Sequence, residues 1–220
     1  MPKATLYVIL LIFTGIFLVA LIQVGAITIA FDKLGISPRV GILLLFGSLI
    51  GSGINLPVYV RKHDVTAPRP PDLPRILPWG IPRGLSDDRT LIAINLGGCL
   101  IPVGVSIYLF TTHPLDLLTT LFALAVVALV SYVFSRPIPG IGIGMPIFIA
   151  PLISAILALS LDPANSAPLA YISGTLGVLL GADLLHLRLI DQLGVRVASI
   201  GGAGTFDGIF FTGIVAALLA

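Results

Sequence analysis

An all-α, polytopic membrane helix bundle of about seven transmembrane helices is the fold class this sequence predicts, because charge is scarce, apolar runs are long and basic residues are segregated. Hydrophobic residues make up 57% of the 220 and charged residues 10%, and the mean hydropathy is +1.11. A soluble domain carries roughly 25% charged residues, so this chain lacks the charge to cover a watery surface. Spans are expected near Leu6–Ala30, Val40–Val60, Leu91–Thr111, Leu115–Phe134, Pro146–Leu161, Pro168–Leu187 and Val197–Ala220. The first has no cleavage-site pattern and is too long for the apolar core of a signal peptide, so it reads as a retained span. The whole chain, 1–220, is expected to form a single transmembrane domain.

Connections follow from composition. Between the second and third spans lies a polar surface loop, 61–90, whose Pro68, Pro70, Pro71, Pro74, Pro78 and Pro82 preclude a regular helix. An extended strap on the membrane surface is expected there, with Trp79 at headgroup depth. Segment 137–146 is apolar but broken by proline and glycine, and such backbone must lie inside protein or line a wet cavity. Seven spans gather Lys3, Arg61, Lys62, Arg69, Arg75, Arg83, Arg89, Arg136, Arg188 and Arg196 on one side and leave Lys33 and Arg39 on the other. The positive-inside rule then places the N-terminus in the cytoplasm and the C-terminus outside, and the inner membrane is the expected location of this multi-pass chain.

Two aspartates fall where charge is costly. An aspartate in the hydrocarbon costs at least about 2.5–3.5 kcal/mol, so it commonly marks a function. Asp183 lies near the cytoplasmic end of the sixth span and Asp207 in the seventh, so the site helices are 168–187 and 197–220. The spans are consecutive and antiparallel, and the glycines at 201, 202 and 204 suggest a seventh helix that starts late, close to Asp207. Two carboxyls confined together cannot both ionise easily, which suits one as general base and the other as general acid on an amide. The bland alternative makes Asp207 a helix N-cap. Gly181, Gly204 and Gly208 beside the pair permit close backbone approach. His186 follows Asp183 by three residues, on the same helix face. It is a candidate for orienting the carboxylate or for half of a metal site, but no zinc signature accompanies it and no metal or other cofactor is expected.

Other polar residues read as structural. Asn55 and Asn95 fall inside predicted spans, where interhelical hydrogen bonding accounts for them, and the pairs Gly47/Gly51, Gly177/Gly181 and Gly204/Gly208 suit close helix packing. Ser52, Ser131 and Ser173 lack a positioned histidine for nucleophilic catalysis. The lone Cys99 excludes an internal disulfide framework and a cysteine-based metal cluster. No basic run is dense enough for nucleic acid.

Two resemblances rest on these strings. Arg136-Pro-Ile-Pro-Gly-Ile-Gly-Ile-Gly-Met-Pro146, Leu179-Leu-Gly-Ala-Asp-Leu-Leu-His-Leu187 and Ser199-Ile-Gly-Gly-Ala-Gly-Thr-Phe-Asp-Gly-Ile-Phe210 resemble an uncharacterised family of small prokaryotic multi-pass membrane proteins. The last two spans are also similar to the catalytic helices of presenilin and signal peptide peptidase, the intramembrane aspartyl proteases. Asp183 matches the first aspartate of that family, and Gly204-Thr-Phe-Asp207 with its apolar continuation matches the second region. That resemblance implies an aspartyl endopeptidase with Asp183 and Asp207 catalytic and a transmembrane peptide as substrate. The differences are Phe206 in place of the glycine before the aspartate, no tyrosine before Asp183, and Ala150-Pro151-Leu152 in the fifth span as the sole counterpart of a later Pro-Ala-Leu motif. The alternatives are a proton or small-cation carrier using the same carboxylates and a non-catalytic scaffold. The lipid bilayer is the expected partner, with self-association into a homo-oligomer left open.

Overall fold

A computed structural model describes residue 14 and residues 23–62, 89–138, 142–189, 197–202 and 208–220. The described chain is mostly helical with two small sheets. Helix α1 (Gln23–Lys33) ends in a left-handed glycine, Gly35, at φ +66°. The Ile36 N–H donates to the Phe31 carbonyl and the Gly35 N–H to that of Asp32, a Schellman closure in which buried Ile36 and Phe31 share the core. Pro38 then opens α2 (Pro38–Gly51), bent by 115° from α1. The bend leaves an apolar cavity of about 480 Å³ against Leu100, Ile101 and Tyr108.

Here the all-α expectation is corrected. The second predicted span, Val40–Val60, is a helix only to Gly51 and then becomes strand β1 (Asn55–Lys62). The third, Leu91–Thr111, opens with strand β2 (Arg89–Asn95) before turning helical. The seventh, Val197–Ala220, opens with strand β5 (Val197–Ile200). Gly51-Ser-Gly53 ends α2, and Val58, Tyr59, Val60 and the run Thr90-Leu-Ile-Ala-Ile94 favour the pleated strand over the helix. The sheet order is β1-β2-β5, with β1 antiparallel and β5 parallel to β2. Register shifts between Pro57 and Tyr59, where a proline on the edge strand has no N–H to donate. Arg61 pairs with Thr90 and Lys62 with Arg89, so the ends of the 61–90 loop are a strand pair; residues 63–88 lie outside the described residues. The broken segment is likewise a short antiparallel pair, β3 (Arg136–Ile138) with β4 (Gly142–Gly144).

Helices α3 (Ile101–Thr112), α4 (Leu117–Phe134), α5 (Ile149–Leu161), α6 (Ser166–Val178) and α7 (Gly208–Leu219) complete the described chain. Asp116 caps α4 by accepting the Thr119 N–H at 2.8 Å. Among the described residues two helices are long and apolar enough to cross a membrane, Leu117–Phe134 and the continuous Pro163–Leu189, or three if α1 and α2 form one broken span. Helix α2 has 14 residues, about 21 Å of rise against roughly 30 Å of hydrocarbon. Every residue from Ser166 to Thr175 is buried, which makes α6 the central helix. It packs against α4, α5 and α7 through small residues: a Cβ on Gly177 would lie 2.7 Å from Val127, one on Gly174 2.9 Å from Ser154 Oγ, and one on Gly213 of α7 2.7 Å from the Tyr171 ring.

Candidate functional site

Asp183 lies in a π-helical turn, Leu179–Leu184, that continues α6. Such wide turns recur at functional sites because they displace one residue from the regular ladder. The turn presses on α4: a Cβ on Gly181 would stand 2.1 Å from the Ala128 carbonyl oxygen, so only glycine fits. Asp183 is half-buried, and its Oδ2 accepts the backbone N–H of Gly201 at 2.6 Å. Gly201 follows β5 directly and has φ +82°, a left-handed conformation that suits glycine.

His186 has another engagement. It is buried, its Nδ1 donates to the Gly181 carbonyl at 3.0 Å, and its ring lies 4.7 Å from that of Tyr132. These contacts tie the end of the π-turn to α4. Pro151 is buried in the first turn of α5, and Gly208 begins α7 with open space where a Cβ would go. Asp207 and Gly204 lie outside the described residues. The described chain resumes at Gly208, and one apolar cluster joins Ala182, Ile209 and Ala150, which lie within two residues of Asp183, Asp207 and Pro151 in sequence. Among the described residues no group of three or more His, Cys, Asp or Glu could hold a metal ion.

A second set of residues surrounds Gly201, among them Asn55 and Asn95, which the sequence leads one to expect in hydrogen bonds between helices. Asn55 and Asn95 face each other across β1 and β2 rather than between helices. Asn95, 1% exposed, donates from Nδ2 to Asn55 Oδ1 at 3.0 Å and to the Ser52 carbonyl at 2.7 Å. Its Oδ1 accepts the Gly98 N–H at 2.8 Å, capping the π-turn Leu96–Leu100 that leads into α3. Ser199 of β5 donates its hydroxyl to Asn55 Oδ1. Glycines let these pieces meet. A Cβ on Gly97 would fall 2.0 Å from the Ser48 carbonyl oxygen, one on Gly201 2.6 Å from the Gly98 carbonyl carbon, and one on Gly202 2.8 Å from Asn95 Nδ2. The available sequence signals were Asn95-Leu-Gly-Gly98, a cap followed by two glycines, and the Gly201-Gly202 pair.

The family described as "Protein of unknown function (DUF1614)" matches residues 49–219. The chain belongs to that family. The matched stretch contains β1, β2, the two π-turns, Asp183 and α7, so the whole arrangement around Gly201 falls within the family's domain. No curated protein and no solved structure matches the chain.

Proposed function

We propose that this chain is a multi-pass inner-membrane protein carrying a presenilin-like paired-aspartate site that hydrolyses transmembrane peptides. The observation that carries the reading is the single apolar cluster of Ala150, Ala182 and Ile209, which draws together residues close in sequence to Pro151, Asp183 and Asp207. The helix register adds support. Gly174 of α6 packs against Thr212 of α7, and Ser166 donates to the Ala220 carbonyl at 3.0 Å, so the two helices run antiparallel. Counting four residues along each helix from Gly174 and Thr212 sets Gly208, the residue after Asp207 in sequence, opposite Val178 at the end of α6, beside the turn that carries Asp183.

In this reading Asp183, already an acceptor for the Gly201 N–H, acts as general base. It takes a proton from water as the water oxygen bonds to the scissile carbonyl carbon. Asp207 hydrogen-bonds the carbonyl oxygen and then delivers its proton to the nitrogen as the C–N bond breaks, releasing an acid and an amine. The buried small-residue faces of α6 and α7 hold the two elements rigidly, which such a dyad requires. Placing seven spans with a cytoplasmic N-terminus, in one transmembrane domain with the lipid bilayer as partner, draws support from the segregation of basic residues.

The test is cleavage of a fluorogenic transmembrane peptide by the full chain in lipid vesicles. Cleavage that both Asp183→Asn and Asp207→Asn abolish, with folding intact, is the expected result. No cleavage by the unaltered chain across varied apolar peptides, or cleavage that survives both substitutions, would end the protease reading. Proton or sodium flux lost in the same variants would favour the carrier instead.

A further inference from the structure

Strand β5 has four residues and, among the described residues, pairs with β2 along one edge only. Short edge strands are weakly held by backbone bonds alone. Gly201, whose N–H meets the Asp183 carboxylate, is the next residue after it. Something beyond the ladder must hold that amide in place.

We propose that Asn55, Asn95 and Ser199 are positioning residues for Asp183, acting through the Gly201 N–H; the catalytic sense of this rests on the protease reading above. Ser199 Oγ, two residues before Gly201, donates to Asn55 Oδ1 on the far strand of the sheet. Asn55 Oδ1 is also the acceptor for Asn95 Nδ2, at 3.0 Å. Asn95 in turn is anchored at Ser52 and Gly98, and its side chain lies directly beneath Gly202. Gly201 rests on the backbone of Gly98 and Cys99, the turn that Asn95 caps. The amide of Gly201 is thus fixed from below by the capped turn and from behind by the Ser199 anchor. Asn95 is almost wholly buried and Asn55 nearly so, so water competes little for these bonds.

The experiment follows the Gly201 amide by hydrogen exchange and ¹⁵N chemical shift in the full chain in nanodiscs. Asp183→Asn gives the reference for a Gly201 N–H without its carboxylate. Ser199→Ala is expected to speed Gly201 exchange by about tenfold, the loss of one hydrogen bond, and to move its shift toward the Asp183→Asn value. Ser199→Thr, which keeps the hydroxyl, should restore both, and Asn55→Ala should behave as Ser199→Ala does. A purely structural role would lower the thermal midpoint while leaving the Gly201 shift and exchange at their original values, and that outcome overturns the proposal. The peptide assay separates the two readings. If the unaltered chain cleaves nothing yet the Gly201 signals move as stated, positioning stands and the protease reading falls. If it cleaves, Ser199→Ala should lower kcat at least tenfold with KM within about twofold. Unchanged kcat would remove the positioning role and leave the protease reading intact.

Discussion

Helices α6 and α7 meet through the absence of side chains, with Gly174 against Thr212 and Gly213 against Tyr171 and Thr175. At the β1–β2–β5 corner the same close approach is stitched by Asn55, Asn95 and Ser199. The helical pair is specified by shape, so it should resist added volume and accept lost polarity. The corner is specified by buried hydrogen bonds as well as by close glycines, so it should resist lost polarity too. Asp183 stands where the two meet, with its π-turn on the helical side and its carboxylate on the corner side.

The largest effect that sharpens this contrast is expected from Asn95→Leu. It keeps apolar volume but strips partners from the Gly98 N–H, the Ser52 carbonyl and Asn55, for a loss of about 3–5 kcal/mol in denaturant unfolding. Next comes Gly181→Ala on the shape-specified side, where the new Cβ meets the Ala128 carbonyl and about 2–3 kcal/mol is lost. The opposite sign is expected at Thr175. Its Oγ1 is buried with no hydrogen-bond partner among the described residues, so Thr175→Val should raise stability by up to about 1 kcal/mol. A loss of several kcal/mol there would break the contrast.

The smallest effect concerns Asp116 at the start of α4. The Thr119 N–H, and then its hydroxyl, hold the Asp116 carboxyl below its ordinary value near 3.8. Its folded-state value is the depressed one, so its cap is fully present above about pH 3.8 and is lost as pH falls through the lowered value. Amide exchange in the first turn of α4 should therefore rise only at strongly acid pH, and Asp116→Asn should flatten that dependence.

Helices α4 and α5 were legible because their apolar runs end at clear punctuation, Asp116 before one and Asp162 after the other. The strands were not, because a short apolar run scores alike in either conformation, and only length and β-branching argue between them. Leu56 to Val60 and Leu91 to Ile94 were absorbed into neighbouring helical runs for that reason. Asp183 stood out by its charge in an apolar setting. Its partner did not, since a backbone N–H such as that of Gly201 leaves no mark on composition. Asn55 and Asn95 were visible as polar residues in apolar stretches, but their pairing depends on strand register, which long-range contacts decide.

The central claim, that Asp183 works with Asp207, is tested most directly by the distance between their side-chain carboxyl carbons. Solid-state NMR dipolar recoupling on ¹³C-labelled protein in bilayers can measure it, with Asp183→Asn and Asp207→Asn assigning the signals. A separation within about 6 Å, close enough for each carboxyl to bias the other's ionisation, is the predicted result. A separation beyond about 10 Å, too far for one water to bridge the two carboxyls, would contradict it.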